Sequence, residues 1–309
     1  MAVLVFGSLN VDLVVRAPEL PVPGQTVLGD AFAQGAGGKG ANQAVAAARL
    51  GSKVRMFGRV GDDPFGRMLL EELRRADVET AGVRIDETAH TGTALIVVAP
   101  DGENQIAVAP GANAHVEAED ARGLQIFMDS DSVLLLQLEV PIDASMAAAR
   151  AARLAGARVV LDPAPAPDEP PAELLRAATV LTPNESEASR LSGVMVESIE
   201  GAIQAGRVLR RRYGTAVVVT VGDKGAVVVD ERGITPVPPW PVDAVDTVGA
   251  GDAFNGALAD GLARGLSLVD AARRAAAAGA LATTVRGALP SMPTREALDA
   301  FIASRTTAP

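Results

Sequence analysis

The sequence predicts an α/β fold, with a mostly parallel central sheet, helices on both faces, and a small β-sheet lid. Three observations carry this. Short apolar runs bounded by turn residues alternate with helical segments, the pattern of strands buried on both faces. One such run, Ala2–Phe6, opens the chain and ends at Gly7, as a buried central strand does. Two stretches, 13–34 and 91–110, interrupt the alternation with brief pieces broken by Pro and Gly, which read as small antiparallel strands outside the main sheet. The expected organisation is one domain over 1–309, with the lid inserted from 13–34 and 91–110.

Composition narrows the function. A chain of 309 residues supports a large core. Net charge is −10 and no block of Lys or Arg occurs, which argues against nucleic acid or an anionic membrane as partner. The absence of cysteine removes thiol catalysis, disulfides and Cys-ligated metals. His90 and His115 stand far apart and match no metal or triad pattern. Positions 1–10 lack the basic start and long apolar run of a signal peptide, and no apolar run reaches membrane-spanning length. A cytoplasmic, soluble protein is expected.

The elements follow in order. If 8–12 stays extended after the first strand, Asn10 and Asp12 point to one side, where open α/β sheets bind ligands. Residues 35–42, G-A-G-G-K-G-A-N, then lead into an Ala-rich helix ending near Gly51. A strand at 54–58 and a helix at 64–76 come next, and Pro100-Asp101-Gly102 marks a hairpin between strands at 91–99 and 105–110. The buried strand 132–138 closes on Glu139, an acid at a strand's carboxyl end. Helix 143–155, strand 158–162, a Pro-rich loop at 163–171 and strand 179–182 succeed it. Asn184 and Glu187 open the next helix with the N-x-x-E spacing of a capping box. Helix 200–213, strand 216–221, Gly222-Asp223-Lys224-Gly225 and strand 226–230 follow. Helices at 252–264, 268–284 and 295–303 finish the chain.

Two glycine motifs can be tested at 33–40. A Walker A loop fails, because Ala33 and Gly40 stand where Gly and Ser or Thr are needed. Gly35, Gly37 and Gly40 do meet G-x-G-x-x-G, but that fingerprint belongs directly after the first long strand. A turn bringing backbone N–H groups, Lys39 and Asn42 to a polar ligand is the better reading.

The stretch 243–256, D-A-V-D-T-V-G-A-G-D-A-F-N-G, carries the chemistry. Gly249-Ala250-Gly251 permits a tight turn, and Asp252 falls where a helix begins. Helix N-termini attract anions through free N–H groups and the helix dipole. An acid beside such a turn suits phosphoryl transfer: the N–H groups steady phosphate charge while the acid takes a hydroxyl proton. The plainer alternative is that Asp252 only caps the helix.

Taken together, these stretches resemble the phosphofructokinase-B carbohydrate kinase family. The likeness rests on G-S-L-N-V-D at 7–12, G-G-K-G-A-N-Q-A at 37–44, G-E-N at 102–104 and G-A-N-A at 111–114. It continues through L-L-Q-L-E at 135–139, T-P-N-E-S-E at 182–187, T-V-G-D-K-G at 220–225 and D-T-V-G-A-G-D-A-F-N-G at 246–256. The first five lean towards the family's ribokinase branch. The resemblance implies transfer of the ATP γ-phosphoryl group to the 5-hydroxyl of D-ribose.

It also implies roles for matching positions. Asn10, Asp12, Gly38, Lys39, Asn42, Glu139 and Asp252 would bind the sugar. Asp252 would be the base, with Gly249, Ala250 and Gly251 completing the anion hole. Asn184 and Glu187 would act near the Mg2+–ATP phosphates, and Thr220, Gly222, Gly225 and Gly251 would lie along the nucleotide. A K+ ion would sit among Asp246, Val248, Ala282, Val285, Gly287 and Ser291. A homodimer joined through the lid is implied too. One departure is Ala276, where a polar residue often stands near adenine, so nucleotide preference is less defined. The rival readings are a kinase for deoxyribose or a nucleoside, a non-catalytic sugar sensor, and a nicotinamide-dependent oxidoreductase.

Overall fold

Alternation along β1 (Ala2–Phe6) sets the layers. Val3 and Val5 enter one apolar cluster while Leu4 and Phe6 enter another, as a strand's two-residue period requires. The computed structural model describes residues 2–169 and 171–306. Met1 and Pro170, which belong to the N-terminal and Pro-rich segments above, lie outside them.

After β1 come β2 (Asn10–Arg16), β3 (Ala31–Gly37), α1 (Lys39–Arg49), β4 (Lys53–Gly61) and α2 (Pro64–Arg75). Next are β5 (Val78–Asp86), β6 (Gly92–Val98), β7 (Asn104–Ala109) and short 3-10 turns between Gly111 and Phe127. The alternating part holds β8 (Val133–Leu136), α3 (Ile142–Leu154), β9 (Arg158–Leu161), α4 (Ala172–Ala177), β10 (Val180–Leu181) and α5 (Glu185–Ser192). Then follow α6 (Ile199–Tyr213), β11 (Ala216–Thr220), β12 (Ala226–Asp230) and β13 (Gly233–Val237). The chain finishes with α7 (Ala250–Ala263), α8 (Leu268–Ala282), α9 (Ala288–Ser291) and α10 (Arg295–Thr306).

Among the described residues the main sheet runs β13-β12-β11-β10-β9-β8-β1-β4-β5. It is parallel except where β12 meets β11 and β13. α1, α2, α7 and α8 cover the Val3–Val5 face, and α3, α4, α5 and α6 cover the other. The predicted mostly parallel sheet, clad on both sides, is what the chain forms.

The second sheet has the order β3-β2-β6-β7, so 13–34 and 91–110 do join. Its centre differs from expectation, because β2 and β6 pair in parallel, Asn10 opposite Gly92. Both strands continue from main-sheet strands, β2 from β1 and β6 from β5, and β1 and β5 themselves run in one direction. They therefore enter the second sheet the same way. The glycine turn at 35–42 also shrinks, since β3 extends to Gly37 and α1 begins at Lys39. Gly35 and Gly37 are thus strand residues paired with β2, and no dinucleotide turn forms.

Four elements, β5, β13, α4 and α9, were not foreseen, nor were the short 3-10 turns. β5 and β13 are edge strands of the main sheet, and β5 carries exposed charged residues where the alternation signal would be apolar. β13 contains Pro236, which an edge tolerates. α4 is short and follows directly on the Pro-rich loop.

Packing of α7 on α1 positions the site. A Cβ added at Gly256 would lie 2.9 Å from Gln43 O and 2.9 Å from Ala47 N, so only glycine allows this approach. Asp252, one turn earlier on α7, consequently faces Asn42 and Gln43 of α1.

Candidate active site

Asp252 is buried, and both its oxygens are engaged by α1. Asn42 Nδ2 donates to Oδ2 at 2.9 Å, and Gln43 Nε2 donates to Oδ1 at 3.1 Å. The carboxylate is therefore held by another helix, and capping is not its main role. Burial raises its pKa; Lys39 and the two amide donors oppose this, and Glu139 adds to it. The preceding turn is tight: Gly249 has φ 79°, and an added Cβ would meet Ala288 Cα at 2.9 Å. Beside it, a Cβ at Gly251 would meet nothing within 4 Å, leaving open space over the helix start.

Around Asp252 the carboxyl ends of strands bring further acids. Glu139, after β8, accepts through Oε2 from the Ser8 hydroxyl and from Lys39 N at 3.1 Å. Asp162, the residue after β9, accepts from Gln43 Nε2 at 2.9 Å and lies 3.9 Å from Lys39 Nζ. Burial lifts Asp162 to about 8, against the pull of Lys39, with Glu187 and Asp252 adding to the rise. Lys39 is the cation of this cluster. Burial works against its charge, yet Asp162, Asp252, Glu139 and Glu187 together push its pKa upward.

On β2, Asn10 and Asp12 share a side as their spacing predicts. Asn113 Nδ2 donates to Asn10 Oδ1 at 2.8 Å and fixes that amide. Asp12 is lifted to about 6, by burial first and then by Glu139 and Asp252. Asn42 Oδ1 is buried with no hydrogen-bond partner. Such an orphan acceptor fits a ligand hydroxyl.

Asn184 and Glu187 form the full capping box: Asn184 Oδ1 accepts from Glu187 N at 3.0 Å and Glu187 Oε2 from Asn184 N at 2.9 Å. Burial also raises the Glu187 pKa, the Asn184 N–H and Lys39 opposing it. Thr220 ends β11, and Gly222 opens the short turn that closes at Gly225. No hydrogen bond or ion pair among the described residues joins this turn to the Lys39 cluster.

The positions 246–291 converge as well. Asp246 accepts from Val248 N at 3.0 Å and from Gly287 N at 2.9 Å. Val285 N donates to Ala282 O at 3.1 Å, and the Asp246 N–H reaches Thr283 O at 3.0 Å. Ser291 is buried and donates to Ala288 O. Ala276 is partly buried on α8. The two histidines stand apart: His115 Nδ1 meets Asp86 Oδ2 at 2.8 Å, and His90 meets Thr91 O. No group of three or more His or acidic side chains among the described residues could hold a metal alone.

Sequence reasoning missed Ser8, Gln43, Asn113, Gln137 and Asp162. Asp162 had a usable signal, since it ends an apolar strand just as Glu139 does. The amides gave none, because their partners are more than ninety residues away.

The pfkB family carbohydrate kinase profile matches residues 2–295. A ribokinase of Haemophilus influenzae is 38% identical over 292 residues, covering 94% of this chain and 95% of that protein. A deoxyribokinase of Salmonella typhi is 34% identical over 302 residues, covering 98% and 99%. The structure of Arabidopsis thaliana ribokinase complexed with ribose and ATP superimposes with TM-score 0.86 at 33% identity, covering 97% of this chain and 98% of that one.

Proposed function

The chain belongs to the pfkB family of carbohydrate kinases, and from that premise we propose that Asp252 is the base of an ATP:D-ribose 5-phosphotransferase. The enzyme transfers the γ-phosphoryl group of ATP to the 5-hydroxyl of D-ribose, giving ribose 5-phosphate and ADP. The observation that carries the site assignment is the buried Asp252 carboxylate, held by Asn42 and Gln43 at the start of α7. It takes the hydroxyl proton as that oxygen attacks phosphorus. The Ala250 N–H donates to Thr247 O at 3.2 Å, and the other N–H groups at the start of α7 are the ones assigned to the phosphate charge. Asn10, Asp12, Gly38, Lys39, Asn42 and Glu139 bind the sugar, where buried hydroxyls need paired partners.

A second reading is phosphorylation of deoxyribose, favoured by the 34% identity to the deoxyribokinase. A coupled assay over ribose, deoxyribose, other pentoses and nucleosides separates the two. Preference for any substrate other than ribose overturns the first reading.

Asp12 gives the pH dependence of sugar capture. With its pKa lifted to about 6, it ionises only as pH rises through that value. The expected kcat/KM for sugar falls below about pH 6, and Asp12→Asn weakens binding and removes the Asp12 share of that limb, leaving the share set by Asp252. An acid limb unchanged in Asp12→Asn counts against the role.

Asn184 and Glu187 suit Mg2+ accompanying ATP, because Mg2+ keeps waters and phosphate ligands and needs few protein oxygens. When bound, Mg2+ neutralises phosphate charge. Thr220, Gly222, Gly225 and Gly251 lie along the nucleotide. The 246–291 positions suit K+: one carboxylate, one hydroxyl and backbone carbonyls fit a large, weakly hydrated cation. When bound, K+ offsets the Asp246 charge. Asp246 itself ties the turn before Gly249 to Gly287. Potassium is expected to raise kcat above that in alkali-free Tris buffer, with sodium weaker and Asp246→Ala unresponsive. Full turnover without alkali cation overturns the potassium site.

The second sheet acts as a lid inserted into a single domain, excluding water from the phosphoryl donor. Phe32, Leu95, Ile106 and Val108 on it are exposed. Pairing of two lids would cover them, so light scattering should report a homodimer; a fully active monomer would contradict this. No described helix is long and apolar enough to cross a membrane.

A further inference from the structure

Gln43 makes three buried side-chain hydrogen bonds in the site and takes no direct part in the chemistry above. It is fully buried, and so is Gln137. Its Nε2 donates to Asp252 Oδ1 at 3.1 Å and to Asp162 Oδ2 at 2.9 Å. Its Oε1 accepts from Gln137 Nε2 at 2.7 Å. The orientation of this amide is fixed by chemistry, since a reversed amide would point its oxygen at the Asp252 carboxylate. Each of the two amide hydrogens has one acid to serve.

We propose that Gln43 is the positioning residue of the base: its NH2 group is shared between Asp252 and Asp162, and Gln137 locks the amide that does so. The inference rests on the assignment of Asp252 as base. Asn42 holds the other carboxylate oxygen, so Gln43 is what stops rotation of the Asp252 carboxylate about that contact. Asp162 has two effects. It keeps Gln43 in place, and it sets a second acid beside the base. The charged groups acting on Asp252 and Asp162 are Lys39 of α1, Glu139 after β8, Glu187 of α5 and Asp12 of β2. Lys39 favours ionisation of the base and the acids oppose it.

Different pH responses follow. Removing the Gln43 donor deprives ionised Asp252 of a hydrogen bond and raises its proton affinity. Asp162, lifted to about 8, carries its proton across the acid range, so Asp162→Asn removes no charge there and leaves that affinity in place. Gln43→Met, close in volume and apolar, is expected to lower kcat about 10–10²-fold, the scale of a misplaced reacting group. Its sugar KM stays within about threefold, because kcat rather than binding depends on the base. The acid limb of kcat moves to higher pH. Gln137→Met moves it the same way by less, and Asp162→Asn leaves it in place, because the asparagine oxygen still accepts from Gln43. A purely structural role would shift all three variants alike and lower their melting temperatures in step with kcat.

The decisive set is pH–kcat profiles, sugar KM and thermal melts for Gln43→Met, Gln137→Met, Asp162→Asn and Asp252→Asn. An upward limb shift in Gln43→Met beside an unmoved limb in Asp162→Asn supports the proposal. A Gln43→Met enzyme within twofold of wild-type kcat with an unmoved limb overturns it, as does an equal limb shift in both. Should Gln43→Met fail to fold, Gln137→Met replaces it: an upward shift beside an unmoved Asp162→Asn limb supports the proposal, and equal shifts or none overturn it. An active Asp252→Asn enzyme overturns the base assignment instead. An inactive one beside a normal Gln43→Met enzyme overturns only the role of Gln43.

Discussion

Asp252→Asn is expected to lower kcat by ~10²–10⁴-fold, the range for loss of a general base, while ribose still binds. The amide matches the carboxylate in shape but cannot take the hydroxyl proton. It also turns one acceptor into a donor, and that NH2 must face either Asn42 Nδ2 or Gln43 Nε2. A modest loss of melting temperature accompanies it for that reason. Sugar affinity is measured separately by calorimetry, and it should change far less than kcat. Retention of more than about a tenth of wild-type kcat would falsify the base assignment.

The parts of this fold legible in the sequence are those whose signals are local. Strands such as β1 and β8 are continuous apolar runs because both faces are covered, and a run of that kind is visible without knowing its partners. Edge strands β5 and β13 lack that signal, since one edge meets solvent and the exposed positions accept charge or proline. Asp252, Lys39 and Glu139 were legible because each sits at a helix start or strand end that local pattern marks. Gln43 and Gln137 were not. Their amides matter through partners on other elements, and a glutamine on a helix or strand has no local pattern that reveals such a partner. The parallel pairing of β2 with β6 was hidden for a related reason: it depends on the direction in which two main-sheet strands exit, which only the assembled sheet defines.

Lys39→Met is expected to damage both turnover and stability, and the two losses test the same charge. Lys39 favours the ionised form of Asp252, so its removal leaves less base able to take the hydroxyl proton and lowers kcat by up to about 10²-fold, the low end for loss of a general base. The stability loss arises because Asp252 and Glu139 lose the cation that offsets their charge, and Asp162 loses it where it is ionised, above about pH 8. Breaking a buried pair costs about 3–5 kcal/mol, but the Lys39 side chain is 32% exposed and stands 3.9 Å from Asp162, so about 1–3 kcal/mol is expected. The sign of its pH dependence follows from the acids. Asp162 in the wild type already holds its proton up to about pH 8, because burial outweighs Lys39. Without Lys39 its folded pKa rises further, so the variant's folded state binds protons more tightly. An acid whose folded pKa is raised loses stability as pH climbs from its unfolded value through the folded one. The gap between wild type and Lys39→Met is therefore wider at about pH 9 than at about pH 7, opening mainly above about 8, and it narrows as the acids protonate. Urea denaturation at both pH values measures it. A gap that stays constant, or that shrinks at the higher pH, would mean that Lys39 holds the site through packing of its stem and not through its charge.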